Sequence, residues 1–386
     1  FEVHGRMHSG ERVNERGMFR GRFAKAGGRY LIVSAKLCDA RLTAGPGTVF
    51  RENAKKAGID YFGHADERLL PPNDLKFQTS RHAIGGVSAG DINGDGWDDL
   101  VFCGGGEVEL YLNQRDGSFR KATREWGLAD LRHATATLLA DFDNDGDADL
   151  YVGVFFGRNR LYRNEGDALV EVTNDSGLSG DDMTSCLCAF DANGDGRLDL
   201  YVGRFLNSRQ DVPRMIHYTR NGEPNRLYLG QGDLTFRDVS AVSGADDRGL
   251  TLGIAAGDYD KDGDQDLYLA NDFGRNVLLR NRGNGTFEDV ARTTGTLAIS
   301  AGMSAAMGDY DNDGRLDLYV SSIRSNQRWF SQDFNVRGYV MNLVQSGRRA
   351  GLQGTFLDLR QHLGDDWARV GQHELAGNYL LRNLGN

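Results

Sequence analysis

The chain has 386 residues, with 45 Lys and Arg against 55 Asp and Glu, a formal net charge of −10 and 39% hydrophobic residues. Such acidity argues against a nucleic-acid partner, which needs a basic face, and there is no run of about 18 apolar residues that would cross a membrane as a helix. Four cysteines (Cys38, Cys103, Cys186 and Cys188) do not make a disulfide framework in a chain of this length, and read better as free thiols.

Residues 1–45 alternate apolar and polar through FEVHGRMHS, GMFRGRFAKA and GRYLIVSAKL, with GERVNERG and GG as turns. That alternation predicts three antiparallel strands. A sheet this small is marginal alone, so it either packs on the remainder or is the remnant of an upstream domain. Residues 46–60, PGTVFRENAKKAGID, have the form of the last strand of the repeat that begins further along the chain but precede any copy of it, so this piece could complete the final unit.

From Asp91 onward a ten-residue phrase recurs five times: DINGDGWDDL from Asp91, DFDNDGDADL from Asp141, DANGDGRLDL from Asp191, DYDKDGDQDL from Asp258 and DYDNDGRLDL from Asp309. Each copy carries oxygen side chains at positions one, three, five and nine, glycine at six and leucine at ten. The candidate metal ligands are Asp91, Asn93, Asp95 and Asp99; Asp141, Asp143, Asp145 and Asp149; Asp191, Asn193, Asp195 and Asp199; Asp258, Asp260, Asp262 and Asp266; and Asp309, Asp311, Asp313 and Asp317. A calcium ion takes six to eight oxygens at about 2.3–2.6 Å, and a short loop supplies them when alternate side chains turn inward. Glycine at six permits the sharp turn. The number of carboxylates favours calcium over magnesium or manganese. The glutamate at position twelve and the flanking helices of an EF-hand are missing, and strand-like LVFCGG, LYVGVFF, LYVGRFL, LYLAND and LYVSSI follow instead. One Ca2+ per loop, about five in all, would bring +10 against the chain's −10, so the acidity is metal-site acidity rather than the mark of a basic partner. Asn93 and Asn193 carry no charge, which predicts weaker binding in those two loops.

The first aspartates are spaced by 50, 50, 67 and 51 residues. A period near fifty with strand signals points to propeller blades. Each cage is preceded by a small apolar strand and followed by a second one. A third strand comes next: VELYLN, NRLYRN, NRLYLG, NVLLRN or NYLLRN. The first four units then add a glycine turn and a fourth, amphipathic strand, as in GTFEDVARTTGT from Gly285. Four-stranded sheets in a radial array predict an all-β fold, a β-propeller with a cation loop between strands one and two of each blade.

At these residues the chain resembles the FG-GAP and VCBS repeat proteins. LYRN with GTFEDV and DYDNDGRLDLYV looks most like the bacterial relatives of the cartilage acidic protein family, over about residues 48–386. The resemblance implies an integrin-α-like calcium-binding propeller, most often seven-bladed, with the cages as calcium ligands. Five blades are visible here, which leaves room for a six- or seven-bladed ring. The expected domains are 1–45 and a propeller over 46–386.

Two insertions, 204–223 in blade three and 322–377 in blade five, separate strands two and three. Cage loops join strands one and two, so the insertions must crown the opposite face. Long loops on a rigid scaffold are where binding concentrates. Arg214, His217 and Tyr218 in the first insertion, and Arg324, Arg328 and Trp329 in the second, have the arginine-plus-aromatic composition of an interface, the bland alternative being that the aromatics pack the insertion onto the disc. No G-x-S-x-G, H-E-x-x-H or phosphate loop is present. The reading is a non-enzymatic, calcium-stabilised module with a protein or glycan partner. It would be extracellular or periplasmic, where calcium reaches the roughly millimolar level such loops use. Two alternatives stand beside it: a polysaccharide lyase or hydrolase using His217, Tyr218, Arg214, Asp365, Asp366 and His373, and a structural subunit of a larger assembly.

Overall fold

Period-two alternation and turn glycines make strands the dominant element among the described residues. The structure is a computed structural model that describes residues 2–6, 12–26, 29–45, 52–61, 85–104, 107–128, 131, 133–178, 181–207, 211, 219–272, 274–322 and 378–385. It divides into two compact units, Phe1–Ala57 and Gly58–Asn386. In the first, Glu2–Arg6, Arg12–Ala26 and Arg29–Gly45 form an antiparallel meander. Its long hairpin pairs Lys25 with Tyr30 and shifts register after Met18 and after Arg22.

The second unit is a five-bladed propeller. Blade one is Gly86–Gly90, Asp99–Cys103, Glu109–Asn113 and Phe119–Lys121. Blade two is Ala134–Ala140, Asp149–Val154, Arg160–Asn164 and Leu169–Glu171. Blade three is Thr184–Phe190, Asp199–Arg204, Arg226–Gly232 and Thr235–Asp238. Blade four is Leu250–Gly257, Asp266–Asp272, Val277–Asn281 and Phe287–Asp289. Blade five shows Gly302–Gly308, Asp317–Ser322 and Tyr379–Leu381 among the described residues. In every blade the strands run antiparallel and neighbour one another in chain order. The all-β propeller expected from the repeats is the fold observed.

Strand one of each blade packs beside strand one of the next, and small side chains make this possible. Ser88 Oγ donates to Thr137 O and Thr135 Oγ1 to Thr184 O, both at 2.6 Å, so hydroxyls stitch one inner strand to the next. Cys186 and Cys188 sit half-buried on the inner strand of blade three, and Cys103 is buried on strand two of blade one. Desolvation pushes these free thiols up, to about 12 for Cys186 and about 11 for the other two, which keeps them protonated and unreactive at neutral pH.

The core is not central but repeated between consecutive blades. On strand two of blade two, Leu150 and Val152 face back into a cluster with Val101, Leu110 and Trp126, while Tyr151 faces forward to Leu200 and Tyr228. Tyr201 and Tyr268 face forward in the same way and, like Tyr151, are almost wholly buried. Tyr319 holds the same place in blade five yet is 44% exposed, and its strand-three neighbour Leu380 is 48% exposed, whereas Leu110, Leu161, Leu227 and Leu278 at that place are buried. A groove of about 650 Å³, lined by Leu278, Val290, Gly295, Leu318, Leu381 and Leu384 among others, opens between blades four and five.

In blades one to three, strand four is followed by a glycine whose α-carbon seats on the next blade. Gly127 lies over Leu169 O, Gly177 over Phe236 O and Gly244 over Phe287 O, each with φ between +76° and +80°. Gly58 has the same seat on Phe119 O with φ +81°. A β-carbon at Gly177 would lie 2.4 Å from Phe236 O, and the backbone there already favours glycine. Gly177→Ala is therefore expected to cost about 2–3 kcal/mol of unfolding free energy, read as a lower denaturant midpoint with unchanged slope.

Candidate metal centres

The position-nine aspartates Asp99, Asp149, Asp199, Asp266 and Asp317 are no more than 2% exposed. Each starts strand two and uses both oxygens locally. Oδ2 accepts the amide of cage position two at 2.8–3.2 Å. Oδ1 accepts an amide at or near the end of strand three, from Asn113, Asn164, Gly230, Asn281 or Asn383, at 2.7–2.9 Å. One carboxylate thus fixes the loop, strand two and strand three together.

Position one closes the loop over itself. Its Oδ1 accepts the position-five amide at 2.9–3.2 Å, and Oδ2 accepts the glycine amide at 2.6–3.0 Å. Position five then accepts the position-seven amide at 2.9–3.0 Å. The glycine at six has φ between +80° and +99°, as its role in the turn requires. Position four is left-handed too: Gly94, Asn144, Gly194, Lys261 and Asn312 have φ between +59° and +72°. Sequence reading missed this second bend; glycine or asparagine in four of the five copies was its signal.

This folding gathers the carboxylates. Oxygens of Asp141, Asp143 and Asp149, of Asp258, Asp260 and Asp262, and of Asp309, Asp311 and Asp317 lie within 4.8 Å of one another. That is the span of a hard-cation shell with a radius of roughly 2.4 Å. In these three cages the position-three atoms Asp143 Oδ1, Asp260 Oδ1 and Asp311 Oδ1 are buried with no hydrogen-bond partner. A buried oxygen left so is costly unless something else meets it, and a divalent cation fits the donor set. In blades one and three, Asn93 Oδ1 and Asn193 Oδ1 instead accept the amides of Asp95 and Asp195 at 3.0 Å. Of the twenty residues read as ligands, fifteen lie in the five loops and the five at position nine open strand two; nine of them form the three close clusters. The other six, Arg214, His217, Tyr218, Arg324, Arg328 and Trp329, lie outside the described residues, as do Asp365, Asp366 and His373.

The N-x-x-x-x-N frame of strand three also has work that the sequence reading did not assign. Its first asparagine (Asn159, Asn225, Asn276 or Asn378) accepts a backbone amide near the far end of strand two at 2.7–2.9 Å. Its last links cages of consecutive blades. Asn164 Nδ2 donates to Ala148 O and Ile92 O, Asn281 Nδ2 to Gln265 O and Ala192 O, and Asn383 Nδ2 to Leu316 O and Tyr259 O, at 2.8–3.1 Å. Blade three has Gly230 there, with Leu198 O 2.5 Å from where a β-carbon would be.

Loops of carboxylates between the first two strands of each blade define a class, the β-propellers of FG-GAP type. The FG-GAP-like repeat family matches residues 91–152, 141–202, 216–269 and 258–320, more than half of the chain, and the chain belongs to that family. It is 23% identical over 287 residues to cartilage acidic protein 1 of Mus musculus, covering 68% of this chain and 44% of the relative. The Homo sapiens protein of the same name gives 23% over 287 residues, covering 68% and 42%. The chain thus spans less than half the length of the curated relatives it matches. Among solved structures, an Agrocybe aegerita lectin that recognises non-reducing terminal N-acetylglucosamine shares 18% identity at a TM-score of 0.36, covering 62% of this chain and 63% of that one. The V. cholerae biofilm matrix protein Bap1 shares 15% at 0.36, covering 64% and 36%. Neither overlap is close enough to bear on function.

Two outcomes follow from the site. Desolvation, opposed by the two amide bonds, pushes Asp149 and Asp266 up to about 7 and Asp199 to about 6. A carboxyl raised in the fold above its unfolded value of about 3.9 contributes stability at low pH that is lost as pH rises through the folded value. Protein stripped with chelator should therefore melt at a higher temperature at pH 5 than at pH 8, a difference that added calcium abolishes by stabilising the ionised form. Asn281→Ala, at a buried side chain with two acceptors, is expected to cost about 1–3 kcal/mol in urea denaturation.

Proposed function

We propose that this chain is a calcium-stabilised β-propeller that acts as a protein- or ligand-binding module outside the cytoplasm. The observation that carries the calcium reading is the trio of partnerless buried oxygens on Asp143, Asp260 and Asp311, each beside other cage carboxylates. The ligands would be the aspartates and asparagines at positions one, three, five and nine. A bound ion supplies charge neutralisation and cross-linking of the loop. The chain's own groups orient the carboxylates through the backbone amides already described. The roughly millimolar calcium found outside cells suits loops of this kind, and the curated relatives are named for cartilage.

Binding belongs to the end of the disc away from the cages. The insertions leave strand two there, at Arg204 and at Ser322. The base of the first is firmly built. Phe205 and Leu206 join Phe155, Met183 and Leu250 in a buried cluster. Arg204 donates to Pro224 O at 3.0 Å, and Arg220 pairs with Asp247 at 3.1 Å. A partner, protein or glycan, would meet Arg214, His217 and Tyr218 on the first insertion and Arg324, Arg328 and Trp329 on the second.

Removing metal tests the reading. Calorimetric titration of stripped protein should show calcium uptake with a stoichiometry approaching five. Chelator should lower the melting temperature by about 10 °C or more, the shift expected when several sites each add about 2–3 kcal/mol at saturation. Equal melting temperatures with calcium and with chelator would refute structural calcium.

A further inference from the structure

One side chain of strand three varies in step with the third cage position. Where that position is aspartate, strand three carries arginine: Asp143 with Arg163, Asp260 with Arg280 and Asp311 with Arg382. Where it is asparagine, strand three carries leucine: Asn93 with Leu112 and Asn193 with Leu229. The fold brings these partners together. Arg163 Nε lies 3.7 Å from Asp143 Oδ2, and Arg382 Nε lies 2.8 Å from Asp311 Oδ2. Arg280 lines the same groove as Asp260 and pairs with Glu288 at 3.1 Å. Oδ1 of each of the three aspartates is buried without a hydrogen-bond partner, and the Asp143 side chain is only 10% exposed. Leu112 and Leu229 are instead buried in the cores between blades. Arginines on the loop edge behave differently. Arg115 beside Asp95, Arg197 beside Asp195 and Arg315 beside Asp313 occur at cages of both kinds, so they do not follow the third position.

We infer that Arg163, Arg280 and Arg382 are counter-charges that set the calcium affinity of cages two, four and five, each offsetting the extra carboxylate that separates a four-aspartate cage from a three-aspartate one. The inference rests on the calcium reading above and deepens it. A guanidinium that pairs with one oxygen of a ligating carboxylate stabilises the empty, self-repelling cage. It repels the incoming cation across the same carboxylate. Both effects lower affinity, and the first lets the cage fold before an ion arrives. The arrangement levels the five sites and removes the ground for weaker binding at Asn93 and Asn193.

The test is calorimetric titration of calcium alone into the stripped full chain, with melting temperatures in calcium and in chelator. In the triple variant Arg163→Leu, Arg280→Leu, Arg382→Leu, three sites should bind about three- to fivefold tighter at low salt, the effect of deleting a unit charge roughly 7 Å from a divalent ion. The gain should fade near 1 M salt, and the melting temperature in chelator should fall. Arg163→Lys keeps the charge and should keep the wild-type affinity. Should the triple variant fail to fold, cage one reads the same device in reverse: Asn93→Asp alone should tighten its site, and Asn93→Asp with Leu112→Arg should return it to the wild-type value. Unchanged or weaker binding in the leucine variants, or equal affinities for the two forms of cage one, would overturn the inference while wild-type calcium uptake stands. No uptake by the wild-type chain would remove the calcium reading and this inference with it.

Discussion

A buried carboxylate at the start of strand two is the constraint on which each blade is built. Placing a charged group at no more than 2% exposure is expensive unless its oxygens are met. Here two backbone amides meet them, one from the cage and one from strand three. The same bonds that make the charge tolerable fix the loop to the sheet and set where strand three ends. Two amides do not neutralise a full charge, and neighbouring aspartates add to it. A divalent cation in the loop would supply what is missing, so the sheet's geometry and the ion's binding are one energetic problem. Burial pushes the carboxyls of Asp99, Asp149, Asp199 and Asp266 up in the metal-free fold.

The problem does not stay inside one blade. Asn164, Asn281 and Asn383 each hold a carbonyl of their own cage and one of the preceding cage. Forward-facing tyrosines and backward-facing aliphatics bury one blade on the next. Glycine turns after strand four of blades one to three seat on the following blade's backbone. Stability is therefore shared among consecutive blades, as in other repeat architectures. The same logic accounts for the exposed Tyr319 and Leu380. They sit on the forward face of blade five, the face that in blades one to four is closed by a successor.

Much of this was legible in the sequence because it depends on period and spacing. Cage positions, strand order within a blade and the opposition of cages and insertions follow from alternation and from antiparallel pairing. What was not legible depends on which oxygen meets which amide. Spacing groups Asp141, Asp143 and Asp149 without distinguishing them. Only the closed loop shows that Asp149 spends both oxygens on amides, that Asp141 caps two more, and that Asp143 keeps one oxygen for something else. The left-handed bend at position four was half-visible, and Lys261 hides it, since lysine gives no hint of positive φ. The strand-three asparagines look like turn residues in a string; their bond to the preceding blade's cage spans about seventy to 125 residues of chain and has no local signal. The insertions have no period at all, and composition could say only that arginine and aromatics are there.

Fold and function then separate cleanly. The repeated parts of the chain serve a scaffold, each residue explained by a bond to loop, sheet or neighbouring blade. The unrepeated parts, 204–223 and 322–377, are not required by that scaffold, for blades two and four close the same junction with short turns. Chain that a repeat does not need, grown from one end of rigid blades, is where a selective contact can vary without disturbing the cages. Phe205 and Leu206 give the start of the first insertion a buried apolar floor, and the Arg220–Asp247 pair anchors its return. In the proposed reading, calcium at the far end of the same strands would stiffen that floor from a distance, leaving the insertions to vary.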